Sequence, residues 1–556
     1  MASSRTRGLR PTLLTAATVT AATLAATAVT STTVAHAEAG SLGSGSFTTG
    51  SLGSLGFGSS SETSGSPYAQ TGWVTLHGDP GNRKQQLGVT PSADYSSWTA
   101  LKGAAILTAP ALLPNGNAAV TTGKAEGHAN LHVLDRQGNV VWQAPEWEGK
   151  NGVDSGAIIS SPIVDTDGNI FVGDGDQFWS YSSDGDLRWV VDLPAAPAPN
   201  PYATDSRAIN PFITAVFTND GAVMGTTAFG QVLVFDRQTG ELRAPILQLP
   251  GSMAKRHTAT PMSPSMWSDG FLDPAIKDPL FQIIFGGIVQ SANTPAVDVK
   301  SGRVFVAATD VEQDKGALYG LDVTPPAPGK PGSVSIGFAA QMGPGSGSSP
   351  VLSPDGLTVY TCDDEGLLYA FDTRTGDLKW SAPSDATAAA VSVDADGNIY
   401  VLTNPGVATA FNAAGDKLWD ADLTAVTAQA LPVSDVYGAP TVRGNGNPTV
   451  VNGAVMLAVF YGYDIPVQGT TVSVPVKNAI VELDPATGVA RRTVQSTSDT
   501  TEGILGIAPD GRMFATLGAM TTTATSPLAP LVNPNLPDGL EIMRPVGGLQ
   551  GFLPIP

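Results

Sequence analysis

Residues 367–380, LLYAFDTRTGDLKW, decide the fold, because they describe one β-hairpin and the chain repeats them. Apolar residues alternate as far as Asp372, whose carboxylate can accept the backbone N–H groups of a tight turn. Gly376 can adopt the positive φ that such a turn requires. A second strand then ends on Trp380, which offers a large apolar surface to a neighbouring sheet. A single hairpin is marginally stable in water, so it needs companions.

The hairpin recurs as the second half of a longer unit. This unit opens with a strand that begins with Ser/Thr-Pro, turns at Asp-Gly and continues through a Val-rich second strand. Copies span 108–145, 160–194, 210–250, 293–342, 348–384, 388–424, 438–499 and, in part, 503–550. The turn-entry acids are Asp135, Asp236, Asp322, Asp372 and Asp484, and the closing aromatics are Trp142, Trp189, Trp380 and Trp419. A spacing of about 40–50 residues is typical of propeller blades.

The two ends of the repeat array are complementary. The last copy has a third strand in LEIMRPV, residues 540–546, and then stops, whereas residues 97–102 form a fourth strand around Trp98 without a blade of their own. We therefore predict an all-β fold, an eight-bladed β-propeller of four-stranded blades closed by pairing of the N- and C-terminal segments. Seven blades are the alternative, because copies 293–342 and 503–550 are degenerate.

The N-terminus carries a targeting signal. Arg5, Arg7 and Arg10 precede an uncharged stretch that ends at Ala35-His36-Ala37, so we predict a cleavable signal peptide over 1–37. The Gly/Ser-rich residues 38–71 predict a disordered linker, and 72–556 a single propeller domain. We expect a protein that is secreted, extracellular or located in the cell envelope.

Composition excludes several classes of partner and site. The net charge of −20 argues against nucleic acid, because phosphate binding needs clusters of Lys and Arg. The single cysteine, Cys362, excludes an intrachain disulfide, and its apolar strand predicts a buried, inert thiol. Outside the predicted signal peptide we find no candidate for a membrane span. We expect a monomer.

The repeat resembles a known family. The pattern SSPVLSPDGLTVY followed by GLLYAFDTRTGDLKW is similar to the PQQ-like β-propeller repeat of quinoprotein alcohol dehydrogenases and of non-catalytic outer-membrane assembly lipoproteins. The stretch with Trp73, His77-Gly78-Asp79-Pro80 and Asn82 resembles the start of the non-catalytic members. The dehydrogenase branch implies pyrroloquinoline quinone (PQQ), Ca²⁺ and a vicinal disulfide, which a single cysteine cannot form. We expect no cofactor, with PQQ and calcium as the alternative.

Long insertions gather on one side of the predicted ring. They lie between blades (195–209, 251–292, 425–437) or between second and third strands (123–129, 311–316, 461–478, 519–538). Both kinds of connection share one face of a propeller, here called the insertion face, whereas the Pro-rich 324–332 lies on the opposite face. Loops on a rigid scaffold commonly carry binding residues. The predicted ligand-binding residues are Arg256, His257, Trp267, Tyr202, Arg207, Tyr463 and Asp464.

Segment 251–292 is the longest insertion and has two interpretations. It is either a ligand clamp that uses Arg256, His257 and Trp267, or a cover in which residues 281–289, FQIIFGGIV, add a strand.

Acidic clusters suggest metal sites, but most coincide with turns. The groups around Asp165 and Asp394 resemble pieces of a calcium loop, yet both fall where every copy has its first turn, so we predict turns there. Asp174 and Asp176 follow a second strand on the insertion face and are the metal candidates.

Two functional hypotheses follow. The first is a non-enzymatic scaffold that binds a protein, a peptide or an envelope component such as a glycan through the insertion face. The second is an enzyme with a site in the central funnel, either a divergent PQQ-dependent oxidoreductase or a glycan-acting enzyme.

Overall fold

A computed structural model describes residues 66–555 except 103, 105, 107, 123–128, 148–156, 158, 196–209, 252–293, 313–314, 345–347, 364, 386–390, 404–405, 428–430, 445–446, 468–469, 497–504, 518–535 and 541–547. Within these residues the protein consists of short strands and one single-turn helix, α1 (Thr424–Thr427). No helix in the described part of the chain is long and apolar enough to span a membrane.

Thirty-four strands lie in the described ranges, and the first two precede the repeats. They are β1 (Gln85–Gln86) and β2 (Asp94–Ala100). The first blade is β3 (Ala111–Leu112), β4 (Ala118–Thr121), β5 (Leu131–Leu134) and β6 (Val140–Gln143). The second is β7 (Ile163–Val164), β8 (Ile170–Gly173), β9 (Gln177–Tyr181) and β10 (Leu187–Asp192). The third is β11 (Val216–Phe217), β12 (Val223–Thr226), β13 (Gln231–Phe235) and β14 (Leu247–Gln248).

The middle of the chain forms the next three blades. The fourth is β15 (Ala296–Val297), β16 (Val304–Thr309), β17 (Gly316–Thr324) and β18 (Ser333–Met342). The fifth is β19 (Val351–Leu352), β20 (Thr358–Cys362), β21 (Leu367–Asp372) and β22 (Leu378–Pro383). The sixth is β23 (Ser392–Val393), β24 (Ile399–Leu402), β25 (Val407–Phe411) and β26 (Lys417–Asp422).

The last two blades depart from the simple pattern. The seventh contains β27 (Thr441–Arg443), β28 (Thr449–Val451), β29 (Ala454–Val467), β30 (Thr470–Leu483) and β31 (Ala490–Ser496), and β1 adds to it in parallel with β28. The eighth is β32 (Leu505–Ile507), β33 (Met513–Leu517), β34 (Gly548–Ile555) and, as its outermost strand, β2.

Eight sheets stand side by side in a ring, with the first strand of each blade innermost. The predicted eight-bladed propeller is therefore confirmed, and so is its closure by the chain ends, because β2 pairs with β34 from Asp94↔Ile555 to Ala100↔Leu549. The predicted third strand of the last blade was misplaced. The strand that pairs with both β33 and β2 is β34, which lies C-terminal to residues 540–546.

The repeated turn has the predicted chemistry. Asp372 Oδ1 accepts the N–H groups of Arg374 and Thr375 at 2.9 and 3.1 Å, and Gly376 has a φ of +78°. The prediction was wrong for Asp322, which lies inside β17 and pairs with Arg303 at 2.8 Å instead of entering a turn. The fourth strand that follows, β18, is ten residues long, although the copy 293–342 that contains it is degenerate in sequence.

The closing tryptophans join neighbouring blades, as the sequence predicts for Trp380. Its ring lies where a Cβ on Gly415 would come within 2.7 Å, and its Nε1–H donates to Ala413 O at 3.0 Å in the next blade. The same contact recurs for Trp98 on Gly138, Trp142 on Gly185, Trp189 on Gly240 and Trp419 on Gly488. Because Trp98 belongs to the eighth blade and Gly138 to the first, this series also closes the ring.

Residues before 72 also contact the propeller. Tyr68 and Ala69 are buried, and the Ala69 N–H donates to Val164 O at 3.0 Å, so residues 66–71 belong to the propeller and not to the linker. Residues 1–65, which hold the predicted signal peptide and most of the linker, lie outside the described residues.

Residues 68–86, here called the axial segment, run through the centre of the ring. Six backbone N–H groups of innermost strands donate to its carbonyls at 2.7–3.3 Å: Leu112 to Trp73, Val164 to Val74, Val297 to Pro80, Leu352 to Gly81, Val393 to Arg83 and Val450 to Lys84. The two remaining blades use side chains, because Phe217 N–H donates to Tyr68 Oη at 2.9 Å and Gln86 Nε2 donates to Ile507 O at 3.3 Å. One segment thus binds all eight blades.

Buried polar side chains of the axial segment strengthen this arrangement. Asn82 Nδ2 lies 3.0–3.1 Å from three carbonyl oxygens of the fourth and fifth blades, those of Thr294, Pro295 and Pro350. Lys84 Nζ donates to Val391 O at 2.6 Å, in front of the sixth blade. Buried amides and amines need such partners, since an unpaired one costs free energy.

Candidate functional site on the insertion face

The insertion face combines residues from many blades, and only some of the predicted ones can be placed. Arg256, His257, Trp267, Tyr202 and Arg207 lie outside the described residues, as do both interpretations of segment 251–292. The other four are described. Asp174 and Asp176 lie in the second blade and Tyr463 and Asp464 in the seventh, three blades apart around the ring, so they do not form one cluster.

Asp174 is the organising residue of a turn. Its Oδ1 accepts the N–H groups of Asp176 and Gln177 at 2.8 and 2.6 Å, and its Oδ2 accepts the Trp179 Nε1–H at 3.0 Å. Asp363 has the same role in the fifth blade, where its Oδ2 accepts the Tyr369 hydroxyl at 2.9 Å. The position after a second strand therefore selects a side chain that binds the turn backbone.

The contacts of Asp174 hold its carboxyl on the turn and on Trp179. Burial and the nearby Asp176 carboxylate raise the Asp174 pKa. Both Asp174 oxygens already accept hydrogen bonds, and among the described residues no group of three or more His, Cys, Asp or Glu side chains is arranged to hold a metal ion. The metal site at Asp174 and Asp176 stays a prediction without a supporting contact.

The groups around Asp165 and Asp394 form turns, as predicted. Asp165 Oδ1 accepts the N–H groups of Asp167 and Asn169 at 3.0 and 2.8 Å. Asp394 binds Asp396 and Asn398 in the same way. Both turns lie on the face opposite the insertions.

The seventh blade carries an arm where the sequence predicted a loop. Residues 461–478 contain Pro466, Gly469 and Pro475, which favour a loop, yet β29 and β30 pair from Val455↔Leu483 out to Val467↔Thr470. At fourteen residues each, they are the longest strands in the described chain. The uncharged, β-branched run TTVSVPV was the sequence signal for this pairing.

The root of the arm is fixed to the connection before it. Tyr463 is buried and its hydroxyl donates to Pro432 O at 2.7 Å, while Thr441 Oγ1 donates to Asp464 Oδ1 at 3.3 Å. Burial raises the Tyr463 pKa, so this phenol stays neutral and acts as a hydrogen-bond donor. The two predicted residues Tyr463 and Asp464 thus position the arm.

Two exposed valines, which the sequence did not single out, lie beside this root. Val433 and Val436 are 70% and 62% exposed, and both follow Pro432, the residue that accepts the Tyr463 hydroxyl hydrogen bond. Another exposed valine, Val311, lies on the same face in the fourth blade. Single exposed valines have no sequence signature, and only the fold shows that this pair lies next to the arm.

The axis behind the insertion face does not fit PQQ in the described residues. The axial segment fills the space enclosed by the innermost strands. Its His77, Asn82 and Lys84 side chains are almost fully buried there. Cys362 is buried within β20, and burial raises the pKa of its thiol to about 12, so it stays a thiol. That the chain binds no cofactor, with PQQ and calcium as the alternative, stays a prediction.

A family model agrees with this architecture. The model described as outer membrane protein assembly factor BamB matches residues 127–266 and 329–505, which together make up more than half of the chain.

Similar proteins were found among both sequences and structures. Protein Rv3035 of Mycobacterium tuberculosis (strain ATCC 25618 / H37Rv) is 26% identical over 444 residues, covering 77% of this chain and 94% of that protein. A europium-containing methanol dehydrogenase aligns with a TM-score of 0.52 at 13% identity, over 87% of this chain and 98% of that one. Quinohemoprotein alcohol dehydrogenase from Comamonas testosteroni gives 0.52 at 12% identity, over 87% and 81%. At such identities the two structures support the propeller fold alone.

Proposed function

The chain belongs to the family of the outer membrane protein assembly factor BamB, and from this premise we propose that it is a non-enzymatic scaffold of the cell envelope that binds a protein through its insertion face. The family supports the coarse role of a protein-binding propeller. The particular face, the export of the chain and the identity of the partner are the proposal.

The filled axis is the observation that carries this proposal. In a propeller enzyme the reacting groups gather around the central funnel, but here the axial segment contacts the innermost strands of all eight blades. Surface connections are then the parts of the ring that remain available to a partner. On the insertion face they include the arm and the exposed Val433 and Val436.

Charge and targeting residues support the envelope location. The basic Arg5, Arg7 and Arg10 ahead of an uncharged stretch fit an export signal. The net charge of −20 disfavours nucleic acid and anionic lipid surfaces. An envelope glycan is the alternative partner, and the experiment below separates it from a protein.

Site-specific photo-crosslinking in the producing cells tests which face binds. A photoreactive phenylalanine derivative replaces Val433 or Val436 on the insertion face. In the matched control it replaces Val489, which is 61% exposed. Val489 lies in the turn between β30 and β31 of the same blade, on the opposite face. We expect protein adducts from the first two positions and none from Val489.

Adducts of equal yield from both faces, or none from either valine, would contradict the proposal. If glycosidase treatment removes the mass shift of an adduct, the partner is a glycan and not a protein.

A further inference from the structure

The outermost strand of the fourth blade, β18, has an open edge. It pairs with β17 from Thr324↔Ser333 to Gly316↔Met342, and no strand in the described ranges pairs with its other side. Alternate side chains of β18 are exposed along its length: Ser333, Ser335, Gly337, Ala339 and Gln341. The backbone donors and acceptors of this edge therefore lie at the surface, on the outer circumference of the ring and not on the insertion face.

The other outermost strands are protected against pairing with a second edge. Five of them, β2, β10, β22, β26 and β31, contain charged residues. The remaining two, β6 and β14, are four and two residues long. Charged side chains and short length are common ways to protect an edge. β18 has neither protection, because it is ten residues long and contains no charged residue and no proline.

A β-bulge is a further way to protect an edge, but it does not distinguish β18. The bulge of β18 lies at Gly337, where the register shifts between Gly320↔Phe338 and Leu321↔Ile336. Five other blades have a bulge between their third and fourth strands. β18 extends on both sides of its bulge, so two stretches of open edge remain.

The charges at the two ends of β18 favour a second copy of this chain as the partner. Two chains of net charge −20 repel each other, and an uncharged strand is a place where they can approach. Lys330 is exposed and is the one charged residue of the connection 325–332 at the first end. At the other end Gln341 Nε2 donates to Asp310 Oδ2 at 2.6 Å, within the connection 310–315, which contains three acidic residues and one lysine.

We propose that two copies of this chain associate by antiparallel pairing of their β18 edges, so that the two fourth blades join into one continuous sheet. A two-fold axis relates the copies, and the backbone donors of one edge meet the acceptors of an identical edge. Antiparallel pairing places Lys330 of each copy beside the acidic connection 310–315 of the other, whereas parallel pairing would place the two lysines together. The sequence led us to expect a monomer, and the open edge of β18 is the reason to replace that expectation.

Sedimentation velocity of the full chain measures this association. One strand per copy buries little surface, so we expect a monomer–dimer equilibrium with a dissociation constant on the order of 10 µM. The double variant Ser335→Lys, Ala339→Lys puts like charges on both edges and should stay monomeric up to about 100 µM. The matched control is Val141→Lys, which adds a charge at an exposed position of β6 and should dimerise as the wild type does.

The orientation of the two strands is tested by Lys330→Glu. In the antiparallel dimer each new glutamate faces the acidic connection 310–315, so the association should weaken at least about three-fold. An unchanged or stronger association of this variant would overturn the antiparallel pairing.

Hydrogen–deuterium exchange locates the contact on the unmodified chain. The amides of 333–342 should exchange more slowly as the protein concentration rises, while those of β26 should not change. This comparison needs no variant, so it decides the question even if the double lysine variant does not fold.

The contrary outcomes are distinct from those of the proposed function. A monomer at all concentrations, a dimer that the double lysine variant keeps, or slower exchange confined to residues outside 333–342 would overturn the proposal. A photoreactive residue in place of Ala339 in the producing cells should give an adduct of twice the mass of the chain, and an adduct with a different protein would overturn pairing between copies. None of these results changes the adducts expected at Val433 and Val436.

Discussion

Replacing Asn82 with glycine should destabilise the whole propeller although it removes a single side chain. The Asn82 amide lies within 3.0–3.1 Å of three carbonyl oxygens in two blades. Asn82 has a φ of 59°, which glycine adopts without strain, so the substitution removes the amide without straining the folded backbone. Alanine would add a backbone penalty of about 1 kcal/mol.

The expected loss follows from these contacts. An amide N–H to carbonyl hydrogen bond contributes about 1 kcal/mol, and a buried carbonyl left without a donor costs about 1–3 kcal/mol. With two N–H groups shared among three carbonyls, Asn82→Gly should lower the free energy of unfolding by about 3 kcal/mol. The matched control is Asn219→Ala. The Asn219 amide also joins two blades, donating to Val299 O at 2.7 Å, but it is exposed and should cost less than about 1 kcal/mol.

Urea unfolding followed by the fluorescence of the nine tryptophans measures both variants. The midpoint of the Asn82→Gly transition should shift to lower urea with an unchanged slope. A loss below about 0.5 kcal/mol, the usual range of a surface substitution, would refute the role given to the axial segment.

Three further predictions concern the blade contacts, the buried amine and the cofactor. Gly415→Ala should cost about 2–3 kcal/mol, because its Cβ meets the Trp380 ring at 2.7 Å. Burial lowers the Lys84 pKa to about 7, so between pH 7 and 10 the stability of the wild type should rise relative to that of Lys84→Met. Addition of PQQ and Ca²⁺ should leave the melting temperature within about 1 °C, since a ligand stabilises only a fold that binds it.

Each of these has its own control or contrary result. Gly438 has a similar positive φ, +79° against +89° at Gly415, but no atom lies within 4 Å of its added Cβ. An equal loss for Gly415→Ala and Gly438→Ala would therefore contradict the tryptophan contact. At Lys84 the unfolded state binds more protons than the folded state between about pH 7 and 10.4, so the contribution of Lys84 to stability rises with pH there. A parallel pH profile of wild type and Lys84→Met would refute that assignment. A melting shift of several degrees with PQQ and Ca²⁺ would favour the enzyme hypothesis.

The repeats made the ring predictable because their determinants are local. Gly376 and Trp380 lie four residues apart, most copies repeat the turn, and five blades repeat the contact of a closing tryptophan with a turn glycine. The misplaced last strand shows the limit of this approach. Residues 548–555 contain Gly551 and Pro554, which disfavour a strand, but Trp98 lies where a Cβ on Gly551 would approach within 2.2 Å. Trp98, which is far from residue 551 in the sequence, leaves room only for a glycine at that position.

The axial segment could not be predicted, because its partners are spread over all the blades. Its backbone bonds reach from Leu112 to Val450, and its stretch of sequence shows neither helical nor strand periodicity. The polar group His77-Gly78-Asp79-Pro80 with Asn82 was its one visible signal. The arm was not predicted because Pro466 and Pro475, which disfavour a strand, interrupt its β-branched sequence.

The candidate site was only partly predictable. Tyr463 and Asp464 were identified as ligand-binding residues, and the structure places them at the root of the arm, where they form internal hydrogen bonds. Asp174 was identified from its position, but its oxygens bind the turn and Trp179. Polar residues in a connection can serve the fold or a ligand, and only their contacts distinguish the two roles.

Hydrogen–deuterium exchange of residues 72–86 tests the central claim most directly. A stretch of this length with little regular secondary structure normally exchanges within seconds, as the exposed connection 431–440 should. If the axial segment fills the ring and binds every blade, peptides from 72–86 should stay protected for hours, close to the protection of β20 and β21. Exchange of 72–86 as fast as that of 431–440 would contradict the filled axis and the scaffold function derived from it.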